Sequence, residues 1–218
     1  MHEDFWRKRW AENQIGFHEG KPNAHLQRFS ERLRTTAQPR VLVPLCGKAA
    51  DLAWLAAQGF LVTGVELVRE AAEAFFQEHG LSAREERDGG LPCLAGERVR
   101  IAVGDFWRWD FRESAPIDAA YDRAALVAVR PEDRERYVRH LLAPLRPAAP
   151  ILLVTFAYDQ TRMSGPPFSV DAAEVQRLFA SRCEIEALED VDILEREPRF
   201  RARGLESLRE QVWLLRVR

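Results

Sequence analysis

Glu66, Asp105 and the adjacent Asp122-Arg123 pair each follow a short apolar run, the place where a strand would hand a polar group to a site. The run Arg40 to Leu45 (RVLVPL) leads into Cys46-Gly47-Lys48, and Glu66 comes 21 residues after Leu45, at the end of FLVTGV. A glycine at a strand-to-helix turn lets a ligand approach the backbone, because no Cβ intervenes. An acid ending the second strand of such a unit can accept hydrogen bonds from both hydroxyls of a ribose. The bland alternative is that Gly47 only tightens a turn and Glu66 only closes a strand with a polar residue.

The turn has one glycine rather than the trio that seats a dinucleotide pyrophosphate. That counts against NAD and favours a nucleoside ligand without phosphates, of which S-adenosylmethionine is one. After VRIAV, Gly104-Asp105-Phe106 offers a carboxylate for the exocyclic amine of adenine and a ring to flank the base. Equally, Asp105 caps a turn and Phe106 belongs to the core. Asp122 and Arg123 end the run IDAAY-DR; charges are seldom left unpaired in a core, so they either pair with one another or point into a pocket. Cys46 reads as a small packing residue, and no residue is assigned as a covalent nucleophile.

The elements that would carry these residues alternate in type. Apolar runs near 40–45, 60–65, 99–103, 117–121 and 151–156 predict strands; 48–58, 68–79, 131–145 and 171–180 have helical spacing. Gly59 and Gly80 stop the first two helices, and Pro131 opens the third. Two more strands are expected near 183–189 and 211–217. Seven strands with helices among the first five predict an α/β doubly wound, mostly parallel sheet closed by a hairpin edge. Ligands of such sheets sit beyond the carboxyl ends of the central strands. An aromatic, basic stretch with Phe5, Trp6, Trp10 and Phe17 precedes the first strand, placed to cover that opening. Trp6 and Trp10, at i and i+4, would also serve as a buried helix face.

The chain has 218 residues and a formal net charge of −2. This length fits one large domain, here 1–218, with 1–38 as a lid segment and 39–218 as the core. A near-neutral charge gives no reason to expect nucleic acid or an anionic membrane as partner. The opening MHEDFWRKRWAENQ lacks the apolar core of a secretory leader. No window approaches the roughly 20 apolar residues that span a bilayer. Three scattered cysteines suit a reducing cytosol, so a cytoplasmic chain, monomeric by default, is expected. The five histidines show neither HxxxH nor HxH spacing, and no metal site is expected.

VLVPLCGKAADLAWLAAQGFLVTGVEL, AYDRAALVAVRPEDRERY and TFAYDQTRMSGPPFSVDAAEVQRLF closely resemble the thiopurine S-methyltransferases in order and spacing. FWRKRWAENQIGFHEG looks like the leading helix of the same family. The likeness covers nearly the whole chain. It implies a Rossmann-like class I methyltransferase with an N-terminal helical lid, S-adenosylmethionine as co-substrate and a small thiol such as a thiopurine as acceptor. By this resemblance Trp10 packs on the cofactor, Leu45 contacts it, Glu66 binds its ribose and Arg123 reaches the cofactor and substrate region. Asp105 and Phe106 fall where the adenine contacts lie, Phe17 matches an aromatic of the acceptor pocket, and Gly165 to Phe168 match a segment near its opening. A basic residue of the late loop is also implied, with Arg196, Arg199, Arg201 and Arg203 all candidates.

Methyl transfer needs the nucleophile held in line with the methyl group in a dry site. A thiol acts as its thiolate, and a heterocyclic thiol ionises near neutral pH, so no strong base is required. Arg123, always protonated, would favour the anion or relay a proton. Bacterial-looking relatives are associated with selenium and tellurium compounds, so chalcogen detoxification is the alternative role. An NAD(P)-dependent oxidoreductase and a non-catalytic cofactor-binding module are the readings from other classes.

Overall fold

The computed structural model of the chain describes residues 3–16 and 18–218. Alternation along the first strand decides which layer each residue joins. In β1 (Arg40–Pro44), Val41 and Val43 face one layer and Leu42 the other, as period-two geometry requires. All but the first residue of β1 are buried, which explains why the run reads as continuously apolar.

After α1 (Glu3–Ala11) and α2 (Ala24–Phe29), the elements are β1, α3 (Ala50–Ala57), β2 (Leu61–Glu66), α4 (Arg69–Glu78), β3 (Arg84–Asp88), β4 (Leu91–Ala95) and β5 (Val99–Val103). There follow β6 (Ala119–Arg123), α5 (Arg134–Leu142), β7 (Pro150–Ala157), α6 (Ala172–Phe179), β8 (Cys183–Asp192), α7 (Pro198–Arg201) and β9 (Arg209–Val217). One sheet of nine strands runs in the order β3-β4-β5-β2-β1-β6-β7-β9-β8. The five central strands, β5 to β7 in that order, are parallel; β4 and β9 join them antiparallel on either side. The seven expected strands are all present. The additional pair, β3 and β4, is a hairpin turned by Gly89 and Gly90, both at positive φ (55° and 75°), as a two-residue turn demands.

Helices cover both faces. Leu26 of α2, Leu52 and Leu55 of α3 and Phe75 of α4 pack in one apolar layer with Val41, Val43 and Val62. Tyr137 and Leu141 of α5 and Val175 and Phe179 of α6 pack in the other with Leu42, Val65 and Ile151. A third, smaller cluster around Phe200, Leu194 and Leu208 lies beneath the late segment. By contrast, α1 contributes no buried residue. The chain leaves β1 toward β2 on one side and has β6 on its other side, so the strand order reverses there, where an open α/β sheet splays its turns to make a crevice.

Candidate functional site

Two strand tips meet at that reversal. Beyond β1, Leu45 (φ 49°) and Gly47 (φ 54°) both adopt left-handed backbone. For leucine this costs about 1–2 kcal/mol, strain of the kind that collects at binding sites. The bend aims the Gly47 N–H at the Glu66 carboxylate, donating to Oε2 at 2.8 Å, while the Val68 N–H donates to Oε1 at 2.8 Å. Glu66 is 5% exposed. Burial pushes its carboxyl up to about 7, opposed by the backbone N–H groups of Val68, Gly47 and Leu67. Each oxygen keeps acceptor capacity, and Glu66 lines the cavity beside it. A Cβ on Gly47 would stand 3.1 Å from Cζ2 of Trp10, so the absent side chain is what lets the indole lie against the turn.

At the tip of β6 the charged doublet separates. Asp122 is fully buried and faces inward, accepting from the Leu126 N–H at 3.0 Å and the Tyr137 hydroxyl at 2.7 Å. Burial pushes its carboxyl up to about 6, against those hydrogen bonds. It ties the loop after β6 to α5. Arg123 turns the other way, lines the cavity and forms an ion pair with Glu19.

The cavity spans about 1070 Å³, part of it open solvent. Trp10, Leu45, Glu66 and Arg123 all line it. Its floor at the strand tips continues over Val127 and Ala128 to a second half formed by Phe156, Pro166, Pro167 and Phe200. Trp6, Arg9 and Trp10 of α1 cover it. Among the described residues, no group of three or more His, Cys, Asp or Glu side chains could hold a metal ion.

The thiopurine S-methyltransferase family profile matches residues 1–218. A thiopurine S-methyltransferase of Nitrosospira multiformis is 43% identical over 218 residues, covering 100% of this chain and 99% of its own. One from Pseudomonas aeruginosa is 47% identical over 215 residues, covering 99% of each. The chain belongs to the thiopurine S-methyltransferase family. Among solved structures it is similar in fold to 1,6-didemethyltoxoflavin-N1-methyltransferase of Burkholderia thailandensis, with a TM-score of 0.65 at 21% identity over 99% of this chain and 86% of that one. As a family member it is an S-adenosylmethionine-dependent methyltransferase of Rossmann-like class I fold, and S-adenosylmethionine is its methyl donor.

The residues present suit that donor. A buried carboxylate with spare acceptor capacity matches two ribose hydroxyls, and the single-glycine turn has no phosphates to accommodate. The two adenine candidates from the sequence lie away from this cavity. Asp105 accepts from the Trp107 N–H at 3.1 Å and caps a short helical turn. Phe106 is 1% exposed, packed among Trp109, Tyr137 and His140. Neither lines the cavity, because the chain turns inward immediately after Gly104. Phe17 lies outside the described residues.

Of the four late arginines, Arg199 and Arg203 line the cavity and Arg196 and Arg201 do not. Arg199 donates to the Gly16 carbonyl and pairs with Glu197 at 2.9 Å, joining the late segment to the leading one. Arg203 reaches Met163 Sδ at 3.5 Å. Sequence reasoning missed Arg9, Phe156 and Phe200 as cavity residues. Phe156 had a signal, since it ends an apolar strand one position over from β6, where a central strand delivers its last side chains to the site.

Proposed function

We propose that the protein transfers the methyl group of S-adenosylmethionine to the sulfur of a small heterocyclic thiol of the thiopurine type. The observation that carries this reading is the two-part cavity: a polar floor around Glu66 and an adjoining apolar half with Arg199 and Arg203 at its edge. The bound donor supplies an electrophilic methyl carbon on a sulfonium; a thiolate lone pair forms the new S–C bond as the sulfonium C–S bond breaks, leaving S-adenosylhomocysteine. In this reading Glu66 accepts from the ribose, Leu45 and Trp10 hold the donor from either side, and Arg123 favours the thiolate by its fixed positive charge. Phe17, which lies outside the described residues, takes the acceptor-pocket role that the family resemblance implies. The acceptor's proton goes to water before transfer, since a heterocyclic thiol needs no strong base.

The chain acts in this reading as one domain, with 1–38 as a lid over a core at 39–218. The same reading has the chain working as a cytoplasmic monomer in detoxification.

The test is methylation of 6-mercaptopurine by the purified full chain, with S-adenosylhomocysteine affinity measured alongside. Wild type should turn over, and Arg123→Met should lose turnover on the order of 100-fold with a smaller loss of affinity. Saturable binding of S-adenosylhomocysteine without methylation of any heterocyclic thiol would remove the acceptor assignment.

A further inference from the structure

Residues 18–23, ahead of α2, form a strap that meets the tip of β6 through the ion pair of Glu19 with Arg123. Its far end is fixed. Asn23 caps α2, its side chain accepting from the N–H groups of His25 (3.0 Å) and Leu26 (3.3 Å). Its own N–H donates to Asp51 Oδ1 at 2.6 Å, and the other Asp51 oxygen accepts from the Tyr121 hydroxyl at 3.1 Å. Asp51 is 5% and Tyr121 1% exposed. The helix that Asn23 starts is held in turn by His25, whose two ring nitrogens lie 3.1 Å from Glu189 and 2.8 Å from Glu210.

From this fixed point Glu19 reaches back toward the cavity. One of its carboxylate oxygens accepts from Asn23 Nδ2 at 3.4 Å, and the other pairs with the guanidinium of Arg123. Tyr121 and Arg123 are two apart on β6 and so share a face of the sheet. The strap is therefore joined to that face twice, through Asp51 at Tyr121 and through Glu19 at Arg123. The second connection reaches a residue that lines the cavity; the Arg123 side chain is 12% exposed and that of Glu19 32%. A long arginine has many rotamers, and holding one against the strand tip requires an acceptor that is itself held. Glu19 meets that requirement.

We propose that Glu19 is a positioning residue for methyl transfer: it fixes the Arg123 guanidinium against the cavity wall and makes that placement depend on the strap. The proposal rests on the reading of Arg123 as the group that favours the thiolate. Its test is a double-mutant cycle in the full chain, with kcat and KM for 6-mercaptopurine, S-adenosylhomocysteine affinity by calorimetry and thermal midpoint all measured. Glu19→Ala should lower kcat about 10-fold, within the range of coupled neighbours, with the thermal midpoint and donor affinity little changed. Glu19→Gln keeps an acceptor of the same reach and should lie between Glu19→Ala and wild type. In an Arg123→Met background Glu19→Ala should cost nothing more. Equal losses in both backgrounds, or rates within about twofold of wild type for Glu19→Ala, overturn the proposal. Should Arg123→Met alone turn over like wild type, the reading of Arg123 itself fails.

Discussion

The floor and the roof of the cavity are built by different means. The floor is part of the sheet: Glu66 is clamped by backbone N–H groups of two turns, and Leu45 and Gly47 are bent into place by strands paired on both sides. The roof is α1, which has no fully buried residue, and the late segment, whose Arg199 reaches across to Gly16 through partly exposed contacts. Rigid geometry belongs where the donor must be oriented, and weaker attachment where ligands must enter and leave. Binding energy should therefore concentrate in the floor, while changes in the roof should affect affinity without much effect on folding.

The largest effect should come from Glu66→Ala. It removes a buried carboxylate and leaves the Gly47 and Val68 N–H groups without acceptors; at about 1.5–3 kcal/mol for hydrogen bonds to a charged group, S-adenosylhomocysteine affinity should drop on the order of 100-fold by calorimetry. Trp10→Ala should weaken the same ligand by about 1–2 kcal/mol, roughly 5- to 30-fold, and leave the thermal midpoint near wild type. An equal loss of stability in both variants would erase the distinction between floor and roof.

The smallest effect belongs to the anchoring of α2. Hydrogen bonding to Glu210 raises the pKa of His25 above its ordinary value, outweighing burial, with Glu189 adding to it. Arg28 of the same helix also pairs with Glu189, at 3.2 Å. A histidine whose folded pKa is raised adds stability that is complete below its unfolded value of about 6.5 and is lost as pH rises through the folded value. His25→Gln should thus lower the thermal midpoint by about 2–4 °C near pH 6 if the clamp contributes about 1 kcal/mol. The gap from wild type should close as the pH rises past the raised value. A gap that stays constant with pH would mean that shape, not charge, holds α2.

The central strands were legible because burial on both faces writes continuous apolar runs. The β3–β4 hairpin was not. Arg84 to Asp88 is an edge strand made entirely of charged residues, and Pro92 interrupts its partner. That proline is tolerated because the pairing of β4 with β5 begins only at Cys93. The turn signal Gly89-Gly90 stood in plain sight but had no alternating flank to support it. In the site, Glu66 and Arg123 could be singled out as cavity residues because strand ends fix where side chains go, whereas Leu45 was pointed to only by the family resemblance. Asp105 and Phe106 could not be placed this way, since the direction taken after Gly104 depends on the packing of Trp109 and Tyr137 and not on local sequence. The late arginines needed one fact that the sequence obscured: α7 starts only at Pro198, so Arg199 and Arg203, four apart, keep to one side and Arg201 to another, while Arg196 belongs to a separate short turn before it.

The elevated carboxyl of Glu66 links donor capture to the solvent. Near pH 7 the empty protein is a mixture of protonated and ionised forms at this residue. In the proposed binding mode, ribose hydroxyls that donate to it favour the ionised form, so uptake of the nucleoside should expel a fraction of a proton into the buffer. Measured heats of association will then vary with the ionisation enthalpy of the buffer chosen, and the protein will hold its donor more tightly on the alkaline side of neutrality than on the acid side.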